Sequence, residues 1–225
     1  SYNPEPSYFE TAEDLDANFV YNGFCGANLS KYMIEGSKLE GKTLVFLKPC
    51  DSYSFNQLIA EHRVDRDKAY IIGVGCMGKL SFEKIKEQGV KGITNITIDD
   101  ANENITVETL YGEKTLAYKD CMLERCHVCK GKEHQIYDEL IGESKDTKDQ
   151  ERFTEVERIE AMSPQERFAY FQSELSKCIR CNACRNVCPA CSCRKCVFDS
   201  TKFDSAQKAN SDSFEEKMFH IIRAF

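Results

Sequence analysis

The stretch that constrains this chain most is Cys178-Ile179-Arg180-Cys181-Asn182-Ala183-Cys184-Arg185-Asn186-Val187-Cys188-Pro189, with Cys191, Cys193 and Cys196 close behind. Seven of the thirteen cysteines fall within these nineteen residues. The first four follow the pattern C-x2-C-x2-C-x3-C-P. Two-residue gaps let successive thiolates from one tight loop converge on a single small inorganic core. The proline then stops the loop running on as a helix with its last ligand turned away.

This spacing is that of the bacterial ferredoxins. There, three cysteines ligate one cubane and the fourth, before proline, serves a second cluster. A zinc ribbon instead uses pairs of C-x2-C well separated in sequence. A disulfide framework suits small secreted chains, and this one shows ordinary globular composition and no secretory signal. Iron–sulfur is the reading the spacing supports, with zinc the alternative.

At 225 residues and 41% hydrophobic, the chain can bury a core and hold one domain or two. Its net charge of −7, without a Lys/Arg-rich block, argues against nucleic acid or an anionic membrane as partner. No apolar run reaches the roughly 20 residues of a spanning helix. Cluster-type cysteines without a signal peptide predict a reducing cytoplasm, that of an anaerobe. The Asn-x-Ser/Thr triplets at Asn28, Asn95 and Asn104 are then chance matches. Both ends look cut: Ser1 is not an initiator Met, and Phe214, Met218, Phe219, Ile222 and Phe225 share one helical face that simply stops.

Residues 1–40 read as irregular or partly helical, and Cys25, alone there, reads as a small buried hydrophobe. Lys42 to Leu47 is an apolar run of buried-strand type, broken at Lys48-Pro49-Cys50-Asp51. Ser54 with Gln57 reads as a capping box, opening a helix whose inward face is Phe55, Leu58, Ile59 and a packed His62. Ala69 to Val74 is a second buried strand, ending in Gly75-Cys76-Met77-Gly78. A short helix, about Ser81 to Gln88, stops at Gly89. Such a β–α–β unit runs its strands parallel through a right-handed crossover. Cys50 and Cys76 therefore fall on the C-terminal edge of neighbouring strands, where open α/β sheets hold ligands. Cys50 lies just ahead of a helix N-terminus, which favours a thiolate or an anionic cluster.

From Ile93 to Tyr118 the alternation of Ile96, Ile98, Ile105 and Val107 about a Tyr111-Gly112-Glu113 turn predicts strands or hairpins. Cys126 and Cys129 then form a C-x2-C. With Cys50 and Cys76 they make four thiols, enough for one cubane, leaving Cys121 as a spare or alternate. His127 and His134 read as solvent-facing or packed, and a structural zinc site at the sheet edge is the rival reading. Glu143 to Arg158 is a charge run of solvated type. Ser163 as N-cap, Pro164 at the first position and Glu166 at N3 start a helix. Its buried face, Phe168, Phe171, Leu175 and Ile179, leads into the cysteine loop and docks it onto the α/β domain.

Three separated motifs resemble those of the coenzyme F(420)-reducing hydrogenase/dehydrogenase beta-subunit family, which includes formate dehydrogenase beta subunits. Lys48-Pro49-Cys50-Asp51 resembles its Thr-Pro-Cys-Gln-like loop, and Gly73-Val74-Gly75-Cys76-Met77-Gly78 its second strand-end cysteine. Cys126-His127-Val128-Cys129 with Asp138-Glu139-Leu140-Ile141-Gly142 resembles its Cys-x-x-Cys and downstream Asp-Ile-x-x-Gly. Together they span roughly residues 42–142. The ferredoxin-type module here follows this domain, whereas it precedes it in the best-known members. The order is similar to a variant found beside heterodisulfide-reductase-like, formate dehydrogenase and anaerobic sulfite reductase systems.

In that variant a helix like Phe219–Phe225 leads into a second C-x2-C-x2-C. Cys178, Cys181 and Cys184 then share a cluster with a later cysteine, and Cys188 serves the other. If the chain ends at Phe225, the fourth ligand comes from among Cys188, Cys191, Cys193 and Cys196. The resemblance also implies FAD, although Gly73-Val74-Gly75 followed by Cys76 does not meet G-x-G-x-x-G.

The expectation is thus an α/β domain with a small parallel or mixed sheet (1–142), a charged linker and docking helix (143–176), and a ferredoxin-like 4Fe–4S segment (177–225). The expected metal ligands are Cys50, Cys76, Cys126, Cys129, Cys178, Cys181, Cys184, Cys188, Cys191, Cys193 and Cys196. They would hold two or more 4Fe–4S clusters. No Ser/His/Asp set, carboxylate pair or P-loop assigns a catalytic residue. The function expected is electron relay in a cytoplasmic multisubunit oxidoreductase, with other subunits of the complex as partners and no membrane insertion. A flavin-containing catalytic subunit and a zinc-stabilised interaction module are the alternatives.

Overall fold

A computed structural model describes residues 2–146, 148, 150–179, 181–193 and 218. The chain forms two units, Ser1–Glu151 and Arg152–Phe225. The first opens with helix α1 (Ala12–Asn18), capped by Thr11 accepting from the Asp14 N–H at 3.1 Å, and the single-turn helix α2 (Met33–Gly36).

Strand β1 (Thr43–Leu47) leads into helix α3 (Pro49–Ala60), and strand β2 (Ala69–Val74) follows. β1 and β2 pair in parallel, Thr43 opposite Ala69 and Leu47 opposite Gly73. α3 begins six residues earlier than the Ser54–Gln57 pattern predicts. Proline at N1 needs no N–H partner, and Asp51 at N3 accepts from the Lys48 backbone N–H at 3.3 Å, which makes Lys48 the N-cap. Ser54 instead donates to the Asp51 carbonyl, and Gln57 reaches Glu61.

His62 is not packed. It is exposed, at φ 54, just beyond the end of α3. The His62 N–H bonds the Ile59 carbonyl and the Arg63 N–H bonds the Leu58 carbonyl, a Schellman ending with histidine in the place glycine usually takes. Phe55, Leu58, Leu47 and Ile71 bury the interface of α3 with the sheet. β1 alternates rather than burying both faces: it is an edge strand, Leu44 is exposed, and Phe46 is covered by the Phe19 ring at 4.6 Å.

Helix α4 (Phe82–Glu87) has Ser81 as its N-cap and is followed by Gly89 at φ 76. Strands β3 (Ile93–Asp99), β4 (Asn104–Thr109) and β5 (Gly112–Ala117) form the expected antiparallel meander. Its inner face, Ile96, Ile105, Val107 and Leu116, packs with Leu80, Ile85 and Cys121 in a second core.

After the single-turn helix α5 (Glu124–His127), a third parallel strand, β6 (Glu139–Ile141), pairs with β2 in the order β1-β2-β6. Periodicity does not reveal it. Three residues, all exposed, carry no pattern; the strand is fixed by Asp138, which accepts from the Ile71 N–H and from Arg66 at 2.7 Å each. The fold is therefore an α/β domain with a small parallel sheet and a separate antiparallel sheet.

In the second unit, helix α6 (Thr154–Glu160) occupies the end of the charge run, with no buried residue. Helix α7 (Pro164–Ser176) starts as expected: Ser163 accepts from the Glu166 N–H, and Glu166 accepts from the Ser163 N–H at 2.9 Å. Its expected apolar face is mostly exposed. Leu175 is buried, but Phe168 and Ile179 are 54% and 82% accessible. The expected helix over residues 214–225 lies outside the described residues apart from Met218. No described helix is long and apolar enough to cross a membrane.

Candidate thiol site at the sheet edge

Parallel pairing puts the ends of β1 and β2 side by side, and with them Cys50 and Cys76. Cys50 is the second residue of α3, inside its first turn rather than ahead of it. Cys76 follows β2 and is pinned from both directions. Its N–H donates to the Ser144 hydroxyl at 3.2 Å, and its carbonyl accepts from the Lys145 N–H at 3.0 Å.

Cys126 lies in α5, beyond the antiparallel sheet. Leu80 bridges Met122, the Ser81 N–H bonds the Cys121 carbonyl and the Leu123 N–H bonds the Lys79 carbonyl. These bonds lay residues 121–123 against 79–81, so the Lys79 N–H donates to Cys126 Sγ at 3.3 Å. Cys129 lies one turn on; its thiol donates to the Gly131 carbonyl, and Gly131 rests against the Tyr53 ring of α3.

The four thiols share one electrostatic neighbourhood. Cys50 is exposed, but the protein around its thiol still raises it, with Asp51, Cys76 and Cys129 adding to the rise and Lys48 opposing it. Burial also raises Cys126, against the Lys79 N–H bond, with Cys76 and Cys129 contributing. Among the described residues no three His, Cys, Asp or Glu side chains form a group that could hold a metal ion. The four thiols thus share a neighbourhood rather than a coordination sphere.

Two buried lysines complete the surroundings. Lys48 pairs with Asp51 at 2.7 Å, with side chains 5% and 1% accessible, and also donates to the Ala27 carbonyl. The Lys79 ammonium donates to Tyr21 Oη and to the Asn22 carbonyl at 3.1 Å each, 4.2 Å from the Tyr21 ring centroid. Tyr21 Oη donates in turn to the Gly75 carbonyl at 3.0 Å.

Residues 21–28 cross this edge as a strap. Gly23 accepts from the Leu80 N–H, Gly26 from Arg125, and Asn28 donates to Ser54. The strap brings in Cys25, half-buried, whose Sγ accepts from the Asn22 N–H at 3.3 Å. Its thiol, like that of Cys76, lies within electrostatic reach of both Tyr21 and Lys79. Sequence reading passed over Tyr21 and Lys79, took Cys25 only as a small buried hydrophobe and Lys48 only as part of the strand-ending motif, because nothing periodic marks the strap or shows that the lysines are buried.

The remaining candidates fall elsewhere. Cys121 is fully buried in the second core, away from solvent, and burial raises its thiol to about 11. His134 Nε2 lies 2.9 Å from the Leu47 carbonyl oxygen and its ring meets Tyr137 edge-on, so it is packed against the end of β1. His127 is half-buried, its carbonyl accepting from the Gln150 N–H.

In the second unit, Cys178, Cys181, Cys184 and Cys193 are exposed and Cys188 and Cys191 half-buried. Helix α8 (Ala183–Val187) carries Cys184 and ends at Cys188, extended at ψ 122 ahead of Pro189. Asn182 precedes α8 at φ 62. Cys196 lies outside the described residues. No protein-family model matches the chain.

Proposed function

We propose that this protein is an iron–sulfur electron-transfer subunit of a multisubunit oxidoreductase. One 4Fe–4S cluster would be held by Cys50, Cys76, Cys126 and Cys129, and at least one more by the ligands among Cys178, Cys181, Cys184, Cys188, Cys191, Cys193 and Cys196. The observation that supports this reading is that Cys50, Cys76, Cys126 and Cys129, drawn from three loops, lie within electrostatic reach of one another, with two buried lysines nearby.

Four thiols are the donor chemistry of such a group, but the structure does not draw them into a coordination sphere. Four thiolates around a 4Fe–4S core leave a net negative charge, which the N-terminus of α3 and the buried ammonium groups favour. Lys79 already donates its backbone N–H to Cys126 Sγ, the kind of bond that tunes cluster potential. Bound there, the cluster supplies one-electron transfer. The chain's own part is to hold the thiols, exclude water and set the electrostatic environment. Partner subunits of a formate dehydrogenase, hydrogenase or heterodisulfide-reductase-like complex in the cytoplasm would deliver and remove the electrons.

Iron, acid-labile sulfide, zinc and flavin content of anaerobically purified protein tests the proposal. About eight or more irons per chain with equal sulfide support clusters in both units. About four, lost on mutating the 178–196 cysteines, would remove the cluster from the sheet edge. Zinc without iron would sink the electron-transfer reading. Stoichiometric FAD would make the protein a flavin-containing catalytic subunit instead.

A further inference from the structure

Residues 138–145 run from the parallel sheet to the antiparallel one as a strip that buries no side chain. Tyr137, Leu140 and Ile141 are 46%, 52% and 55% accessible, and no residue from 137 to 146 is buried. What holds the strip is polar. At one end Asp138 and Ile71 exchange bonds: the Asp138 N–H donates to the Ile71 carbonyl at 2.8 Å, and the Ile71 N–H to the Asp138 carboxylate. Arg66 donates to the same carboxylate. Midway, the Gly75 N–H bonds the Ile141 carbonyl, and the Glu143 backbone lies directly over Gly75. At the far end Ser144 and Lys145 take the N–H and the carbonyl of Cys76, and the Lys145 ammonium reaches Glu103, just ahead of β4, at 2.8 Å. Gly142, at φ 72, turns the chain between the two ends.

The neighbouring β1–β2 pair is built differently, backed by Leu47, Ile71 and Phe55, all fully buried. A segment with solvent-exposed backbone bonds and no buried apolar side chain opens at a lower free energy than a core element. Breaking the bonds of the strip leaves the β1–β2 ladder and the β3–β5 meander with all of their own. We infer that residues 138–145 are a latch over the end of β2. It opens as one unit while both cores stay folded, frees the Cys76 backbone at its N–H and its carbonyl, and uncovers Cys76, half-buried when the latch is shut, to thiol-directed solutes. The inference stands apart from any group held at the thiols.

Hydrogen–deuterium exchange of the intact protein, resolved to single amides, tests it in wild type, Asp138→Asn and Lys145→Met. Amide exchange reads the opening whether or not Cys76 is occupied. In wild type the amides of Gly75, Cys76, Asp138 and Lys145 should exchange together, on the order of tenfold or more faster than those of β1 and β4. Asp138→Asn weakens the bonds to Arg66 and Ile71 and should hasten all four about fivefold, Cys76 at the far end included. Lys145→Met, at an exposed pair, should hasten them about twofold. Neither variant should change β1 or β4. Phe55→Ala, in the core beneath β1 and β2, should hasten β1 and leave the four amides unchanged. Labelling of Cys76 by iodoacetamide, in chelator-treated protein, should follow the exchange of its amide across the variants. Exchange of the four amides at the rate of β1 and β4 would overturn the latch, since the strip would then open only with the whole domain. So would an effect of Asp138→Asn confined to Asp138 itself, or labelling of Cys76 that ignores the variants.

Discussion

Replacing Gly75 by alanine tests the link between the third strand and Cys76. A Cβ built at Gly75 meets the Glu143 carbonyl oxygen at 2.4 Å and its nitrogen at 2.7 Å. Both are backbone atoms, so no side chain can swing aside. Reaching the 3.0 Å below which Cβ contacts essentially do not occur requires a retreat of roughly 0.6 Å. The segment that must retreat is the exit of β6. It accepts the Gly75 N–H at Ile141 (2.8 Å) and, through Ser144, the Cys76 N–H (3.2 Å). Losing or stretching these two bonds costs about 1 kcal/mol each, and overpacking adds about 1–3 kcal/mol. The expected destabilisation is therefore about 3–5 kcal/mol. Urea unfolding of Gly75→Ala against wild type measures it, as a lower midpoint at unchanged slope. Iron content should fall as well, because Cys76 moves with the strand end. A midpoint within about 0.5 kcal/mol of wild type, with iron retained, would refute both the close pairing of β2 with residues 141–144 and the positioning of Cys76 by it.

Serine in place of Cys50, Cys76, Cys126 or Cys129 should each remove about four irons per chain, read by metal analysis. Cys121→Ser should leave iron unchanged while costing about 1–3 kcal/mol for a hydroxyl in a dry core. Phe55→Ala, at a fully buried side chain, should cost about 3–5 kcal/mol in urea unfolding. The Arg66 bond, then the Ile71 N–H, holds the Asp138 carboxyl below its ordinary range. Its contribution is thus present above the unfolded carboxyl range and lost as pH falls through the depressed folded value. Asp138→Asn should cost about 1 kcal/mol at pH 7, a figure discounted for partial exposure. The difference from wild type should shrink as pH falls from the ordinary carboxyl range through the depressed folded value; a gap unchanged by acidification would contradict the assignment.

Local chemistry made much of this protein legible in its sequence. The apolar runs of β1 and β2, the alternation of β3 to β5, and the Ser81 and Ser163 caps each depend on neighbours within a few residues. Where local signals competed, reading failed: Ser54–Gln57 mimics a cap, but Pro49 and Asp51 had already started α3. His62 sits at helical spacing yet falls on the residue that turns left-handed. Only tertiary structure decided the rest. β6 has no periodicity and exists because Asp138 clamps it to β2. Cys25, Tyr21 and Lys79 join Cys50, Cys76 and Cys126 because the strap of residues 21–28 folds across two sheet edges. Burial of a lysine is a property of what surrounds it, and chain distance from Tyr21 to Lys79 hides that contact from any local pattern.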